Sequence, residues 1–308
     1  MRATTESAVS PAPTPTNQAN GTTSLPDANS WKALLEAALA EDIGSGDVTS
    51  RILFEEDDCA VARIEARQSL VVCGLPVART VFERVDPLLE VELLCEEGDS
   101  ADAYQPVLRA TGSVRSLLTA ERTALNFLGR LCGIATNVRR YVDAVAGTGT
   151  AIVDTRKTIP GWRALDKYAV AAAGGTNHRM GLYDGVLLKD NHAAAAGSLA
   201  AAVKRALDQA PSGVFVQVEV QSHAEAREAV AAGADFLLLD NLDPETTRHI
   251  VSEFKEHAVL ESSGGITLEN ARAYAECGVQ RISIGALTHS APSADLSLEI
   301  DSAGGHPR

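Results

Sequence analysis

The chain has 308 residues, 45% of them hydrophobic and 22% charged, enough for one large domain or two smaller ones with real cores. Its formal net charge of −14 sets the average surface against nucleic acid and anionic membranes, so positive charge for an anionic substrate has to be local. The five cysteines, Cys59, Cys73, Cys95, Cys132 and Cys277, form no CxxC pair and point to small buried residues in a reducing cytoplasm rather than a metal or disulfide framework; no apolar run reaches the length of a membrane span.

Residues 1–29 are dominated by Ser, Thr, Pro, Ala and Asn, as in SPAPTPTNQANGTTS, and lack the basic start and apolar middle of a secretory signal. Such a stretch cannot bury enough apolar area to offset its ordering entropy and reads as a disordered tail. Residues 302–308, SAGGHPR, read the same way. Trp31, Leu34, Leu35, Ala38 and Leu39 then recur at helical spacing behind a cap at Asn29 or Ser30. The turn-rich EDIGSGDVTS follows. From 59 to 115, short apolar runs such as AVARIEA, LVVCG, VELLC and PVLRATGSV predict a mostly antiparallel sheet, with a helix near Pro76–Val85. A helical stretch from Thr119 to Val145 carries Gly129 and Gly133 as weak points.

From Thr150 the rhythm changes. Runs of β type appear at AIVDT, GVLLKD, VFVQVEV, DFLLLD, HAVLESSGG and RISIG. Between most of them lie amphipathic helical segments, at 193–209, 224–232, 244–255 and 268–277. Strand and helix in regular alternation mean parallel strands with crossover helices. The expected architecture is an N-terminal α+β sheet domain at 30–132, to which 288–301 returns, and a C-terminal incomplete parallel α/β barrel at 133–287. A doubly wound open sheet is the alternative. Either way the strands end in polar or glycine residues, namely Asp154, Lys189, Glu219, Asp240, Ser262 and Gly285. Carboxyl ends of strands are where such folds place function.

The segment from Asp154 to His192 holds six Lys or Arg against four Asp in a chain where acids dominate. Arg156, Lys157, His178, Arg179 and Lys189 lie at or just beyond strand ends, or in the loop between them. A solvated cationic face is the plain explanation. Successive cations at strand ends beside Gly-Gly and Asn-His favour a pocket for a small polyanion, with Arg pairing carboxylates and Lys phosphates. Glu219 and Asp240, opposite these cations, suit sugar hydroxyls or a divalent metal; taken singly, each is equally well an ordinary ion-paired acid. Ser262-Ser263-Gly264-Gly265 before a helix, with Ser283-Ile284-Gly285 one strand later, has the form of a barrel phosphate site, or of two tight βα turns. Nothing local singles out Arg122.

Read in order, the motifs DTRKT, PG.R..DKYAV, GG.NHR, KDNH, VEV, LLLDN, SSGGI and SIG resemble the quinolinate phosphoribosyltransferase family. ERTALN, GIAT and EDIGSGDVTS upstream agree, so the resemblance spans Trp31 to Ile300. Cys132, where the family often has Ser, and Trp162 depart from the pattern. The resemblance implies transfer of a phosphoribosyl group from phosphoribosyl pyrophosphate to quinolinate with loss of CO2, with Mg2+ as cofactor. It also implies a homodimer or higher assembly with shared active sites, in which the N-terminal domain of one subunit covers the barrel mouth of the other and Arg122 enters the partner's site. Arg122, Arg156, His178 and Arg179 would hold the quinolinate carboxylates, and Lys157 and Lys189 would bridge the two substrates. Glu219 and Asp240 would hold the ribose and the metal, and Ser263, Gly264, Gly265 and Gly285 the 5′-phosphate. Lys157, Lys189, Glu219 and Asp240 would be the catalytic set. The competing readings are a related transferase for another pyridine acid, a barrel aldolase using Lys157 or Lys189 as a Schiff base, and a non-catalytic nucleotide sensor.

Overall fold

The computed structural model describes residues 24–301; of the expected tails at 1–29 and 302–308, residues 1–23 and 302–308 lie outside them. Within the described residues, two units separate, one made of 24–146, 152–178 and 284–301, the other of 147–151 and 179–283.

In the first unit, the Asp27 carboxylate caps a short 3-10 turn at Ala28–Ser30, inside the segment expected as tail. The Trp31 indole donates to the Pro26 carbonyl at 3.0 Å, and Trp31, Leu35 and Leu39 are buried. Helix α1 (Lys32–Ile43) therefore forms where its apolar spacing predicts. Asp47 then caps α2 (Val48–Leu53), accepting from the Ser50 amide at 3.0 Å. Strand β1 (Cys59–Ala66) buries Ala62, Ile64 and Ala66 on one face, as alternation requires. It lies in an antiparallel sheet of order β12-β1-β5-β3, made with β3 (Glu90–Leu93), β5 (Pro106–Ser113) and β12 (Leu296–Ile300). The small pair β2 (Leu70–Val71) and β4 (Ser100–Ala101) lies apart from it. Helix α3 (Leu75–Val85) covers apolar surface with Leu75, Val77, Ala78, Val81 and Phe82, all fully buried.

Helix α4 runs unbroken from Val114 to Ala144, straight through Gly129 and Gly133. Packing accounts for this: Leu117, Leu128, Leu131 and Ile134 are fully buried, each worth about 2 kcal/mol. The glycines make room for another backbone. The Ala294 amide donates to the Gly129 carbonyl at 2.8 Å, and a Cβ on Gly133 would sit 2.1 Å from the Pro292 carbonyl oxygen. Gly133→Ala should therefore cost ~2 kcal/mol of stability, although alanine is the better helix former by about 1 kcal/mol. Urea unfolding of the variant measures it, and an unchanged midpoint would contradict the close approach.

Strand β6 (Ala151–Val153) leads to α5 (Arg163–Ala172). In the second unit, β7 (Val186–Leu188), β8 (Val216–Val220), β9 (Phe236–Asp240), β10 (Val259–Ser263) and β11 (Arg281–Ser283) are parallel and lie side by side in chain order. Strand β9 is apolar up to its last residue and buried along the apolar run, as expected for a strand covered on both faces; β8, β10 and β11 carry polar side chains as well, of which Gln217, Glu261, Ser262, Arg281 and Ser283 are buried. The β6 strand takes the place beside β11, where the Ala151 amide donates to the Gln280 carbonyl at 2.9 Å. The order never reverses, which excludes a doubly wound sheet. The first strand sits beside the last, the mark of a barrel, and no ladder joins β6 to β7 among the described residues. The fold is an N-terminal α+β sheet domain followed by an incomplete parallel α/β barrel.

Two expected helices differ. The segment 193–209 is two helices, α6 (Asp190–Ala196) and α7 (Leu199–Gln209), because Gly197 turns left-handed at φ 94° and Ser198 caps the second. Helices α8 (His223–Ala231) and α9 (Pro244–Phe254) match their patterns. The helix expected over 268–277 shrinks to α10 (Ala271–Ala275), since Asn270 Oδ1 accepts from the Thr267 amide and holds 267–270 in a turn. A last short helix, α11 (Ala286–His289), precedes β12. No helix among the described residues is long and apolar enough to cross a membrane.

Candidate active site

The candidate residues fall into two groups, one in each unit. In the second unit, Lys189 follows β7, Glu219 is the fourth residue of β8, and Asp240 ends β9. Register sets them in layers: Glu219 lies opposite Leu238, and Asp240 opposite Ser263. Lys189 Nζ approaches Glu219 Oε2 to 3.8 Å; the lysine side chain is 51% exposed and the glutamate 12%. Burial pushes the Glu219 carboxyl above its ordinary value, and the charges of Asp240 and Asp190 add to the rise while Lys189 opposes it. Glu261 lies opposite the same Leu238 from the other side, and Arg281 Nε donates to Glu261 Oε2 at 2.8 Å, a buried pair with the guanidinium over the Phe236 ring. Polar side chains thus continue across the sheet at the level of Glu219.

The glycine turn after β10 is shaped by its neighbours. Asn241, left-handed at φ 54°, donates its amide to the Ser263 carbonyl at 2.8 Å and its side chain to Asp240 Oδ2 at 2.9 Å. Gly264 is left-handed at φ 92°, and a Cβ there would lie 2.2 Å from Asn241 Oδ1. Gly265 is also left-handed, at φ 61°. The sequence expectation ended this strand at Ser262; the strand continues to Ser263, and Ser262 is buried. Arg179, in the same unit, donates from Nη1 to the Gly185 carbonyl at 2.7 Å.

In the first unit, Asp154 follows β6 and is fully buried; its Oδ1 accepts from the His178 amide at 2.8 Å. Arg156 Nε is buried and has no hydrogen-bond acceptor among the described residues. A buried donor left without a partner costs about 1–3 kcal/mol, so the atom suits an anionic ligand. The Lys157 amide donates to Thr155 Oγ1 at 3.0 Å, and the Lys157 carbonyl accepts from Thr288 Oγ1 at 2.8 Å. A Cβ on Gly285 would meet Lys157 Cδ at 2.8 Å and His289 Nε2 at 3.2 Å. Lys157, Gly285 and His289 therefore converge. Sequence reasoning passed over His289; its one signal is the position four residues after Gly285, one turn along α11. Arg122 projects from α4 with its side chain 62% exposed, and its nearest charged neighbour is Glu121 at 4.0 Å.

Comparison with known proteins gives a consistent result. Residues 47–132 match the family model for the quinolinate phosphoribosyl transferase N-terminal domain, and 134–299 match that for the C-terminal domain. A probable nicotinate-nucleotide pyrophosphorylase [carboxylating] of Bacillus subtilis is 42% identical over 269 residues, covering 87% of this chain and 93% of the relative. The nicotinate-nucleotide pyrophosphorylase [carboxylating] of Mycobacterium leprae is 40% identical over 272 residues, covering 86% and 95%. The solved structure of the nicotinate-nucleotide pyrophosphorylase from Francisella tularensis superposes with a TM-score of 0.87 at 37% identity, covering 92% of this chain and all of that one.

Proposed function

Since this chain belongs to the quinolinate phosphoribosyltransferase family, we propose that it joins quinolinate to phosphoribosyl pyrophosphate, releasing pyrophosphate and CO2 and supplying nicotinate mononucleotide for NAD biosynthesis. The observation that carries the reading is the strand-end set Lys189, Glu219, Asp240 and the Ser263–Gly265 turn. The direct test supplies both substrates and magnesium and follows pyrophosphate, CO2 and the mononucleotide together. Absence of any one of the three products would overturn it.

The residue roles belong to the same proposal. Arg156, His178 and Arg179, with Arg122 from a partner subunit, hold the two carboxylates of quinolinate; the unsatisfied Nε of Arg156 supports this. The pyridine nitrogen attacks the anomeric carbon as the bond to pyrophosphate breaks, so positive charge grows on the sugar and negative charge on the leaving group. Glu219 and Asp240 stabilise the first; Lys157 and Lys189 stabilise the second. Ser263, Gly264, Gly265 and Gly285 take the 5′-phosphate on backbone amides. His289 joins them on the geometry of Gly285. The adduct then loses the carboxylate next to the ring nitrogen as CO2; the electron pair stays on that ring carbon, where the adjacent positive nitrogen stabilises it, and a proton from solvent takes the place of the carboxylate. A Schiff-base role has less support, because Lys189 faces a carboxylate and is half exposed rather than sitting in an apolar pocket.

Glu219 and Asp240 also fit a magnesium ion held mainly by substrate, for which one or two carboxylates suffice. A cation would relieve the repulsion from Asp240 that adds to the rise burial gives the Glu219 carboxyl. No group of three or more His, Cys, Asp or Glu side chains is placed to bind a metal among the described residues, so the remaining ligands would be substrate oxygens and water. The chemistry supplied by the bound ion is neutralisation of pyrophosphate charge.

A homodimer or larger assembly with shared sites is supported by the exposure of Arg122 and of apolar Val48, Ile52 and Leu53 on α2. A cytoplasmic location is supported by five unpaired cysteines. A functional division at 132/133, with 288–301 counted with the first domain, is supported by the junction of the two family matches and by the pairing of β12 with β1.

Selectivity follows from the paired cations. Nicotinate lacks one carboxylate and would leave buried donors unpaired, so kcat/KM should favour quinolinate by at least about a hundredfold. Comparable efficiency with the two acids would remove the assignment of these residues to quinolinate.

A further inference from the structure

Three residues near the first group have no role in the reaction as proposed, yet they form its most deeply buried charge network. Asp154 is 0% exposed and Lys167, on α5, 1%. Lys167 Nζ donates to Asp154 Oδ1. Taking two charges out of water is unfavourable, and an apolar pair of similar volume commonly packs as well without that cost. What ions supply and methyl groups cannot is directed hydrogen bonding, and here the bonds converge on one short segment. Lys167 Nζ donates to the His178 carbonyl at 3.0 Å, and Asp154 Oδ1 accepts from the His178 amide at 2.8 Å. Both backbone polar groups of His178 are thus held by the two members of one ion pair. Asn177 completes the set, donating to Asp154 Oδ2 at 2.7 Å and to the Lys167 carbonyl at 2.9 Å.

The segment is fixed from its other end too. Thr176 forms a parallel bridge with Val153, donating to the Ile152 carbonyl at 2.8 Å and accepting from the Asp154 amide at 3.1 Å. Residues 176–178 therefore lie along β6 as a strand stub, and the ion pair clamps the stub where the strand reaches the site. The Asp154 carboxyl is pushed above its ordinary value by burial, against the opposing pull of Lys167, the His178 amide and Asn177. The charge is held there against a solvation penalty.

We propose that Asp154, Lys167 and Asn177 are positioning residues for quinolinate recognition: they fix the backbone of His178 so that its side chain meets the substrate carboxylates in one geometry. The inference rests on the reading above, in which His178 contacts quinolinate. Misplacing a binding group by about 1 Å commonly costs one to two orders of magnitude.

The test compares Lys167→Met, Asn177→Ala and the double variant Asp154→Leu/Lys167→Met, measuring kcat, both KM values, thermal stability, and quinolinate affinity by calorimetry without the second substrate. KM and Kd for quinolinate should rise about tenfold or more, with KM for phosphoribosyl pyrophosphate within about twofold of wild type, since that substrate does not depend on His178. Lys167→Met strands a buried carboxylate and should lose stability; the double variant removes that stranded charge and should regain part of it, the hydrogen bonds lost by His178 and Asn177 limiting the recovery. A merely structural role predicts that quinolinate affinity returns with stability. The proposal requires that stability returns in part and affinity does not. Recovery of both, or parallel rises in the two KM values, would overturn it. Should Lys167→Met fail to fold, Asn177→Ala and the double variant decide the matter alone. A wild-type protein that binds quinolinate but forms no mononucleotide would sink the reaction, and the calorimetric comparison would still decide the clamp.

Discussion

Glu219→Gln is expected to lower turnover by about a hundredfold while leaving the fold more stable at pH 7 than the wild type. The two effects share one cause. Glu219 is mostly buried, and burial, with Asp240 and Asp190 nearby, lifts its carboxyl above the ordinary range despite Lys189. A carboxyl raised in the folded state favours folding only while it is protonated. That contribution is full below the unfolded-state pKa and is lost as pH rises through the folded value. At neutral pH the ionised side chain therefore destabilises the fold, and glutamine, of the same shape, does not. In the proposed mechanism the ionised carboxylate faces positive charge growing on the ribose, which a neutral amide stabilises poorly. Thermal melts between pH 4 and 8 should show the variant's advantage at the upper end and its disappearance at the lower. Quinolinate affinity should hardly move, because this acid serves the sugar half. Unchanged turnover, or an advantage that grows as pH falls, would separate Glu219 from the role given to it.

The second large effect concerns Arg122. Arg122→Ala and Lys189→Ala should each lower activity by about two orders of magnitude or more, yet an isolated heterodimer of the two should regain about half the wild-type activity. In such a dimer one barrel keeps Lys189 and borrows Arg122 from its partner, while the other site lacks both. Arg122 invites this test because its side chain is 62% exposed on α4, with Glu121 at 4.0 Å as its nearest charge. For the same reason Arg122→Ala should leave the melting temperature unchanged. The heterodimer, purified on two different tags, is assayed beside both parents. Activity no higher than either parent would place Arg122 in its own subunit's site or outside any site.

Much of the architecture is legible in the chain because burial imposes periodicity. The Leu run of β9 marks a strand covered on both faces, and alternation at Leu296, Leu298 and Ile300 marks a strand of the first sheet, seen as β12 paired with β1, with Leu296 buried and Ile300 exposed. Helix continuity was less legible. Gly129 and Gly133 read as weak points because propensity is local, whereas their reason, the backbone at 292–294, is remote in sequence. Gly197 hid inside an alanine-rich stretch and shows only as a left-handed turn between α6 and α7. The strand-end acids and cations stood out by charge in a chain of opposite sign. Asp154 and Lys167 have the same charges and the same neighbourhood, but composition cannot tell a charge that faces a ligand from one that is wholly enclosed. His289 went unread because a lone histidine in a short helix carries no signal of its own. Arg122 came only through family resemblance, since a single arginine on an amphipathic helix has no local mark.

The pairing of Ala62 with Ile300 has a consequence for synthesis. The strand β1 leaves the ribosome before the barrel strands, and its partner on one side only after them. Until then one edge of the first sheet presents free amides and carbonyls, a template for pairing with other chains. The groove that Gly129 and Gly133 open on α4 waits for the same late segment. This sheet is therefore completed only after the barrel strands have been made, and contacts this distant in sequence form slowly. A nascent chain of this protein has to be shielded by chaperones until that segment has been made. A stop codon a few residues before β12 should leave the barrel's own strands intact and send the protein into aggregates through its opening sheet.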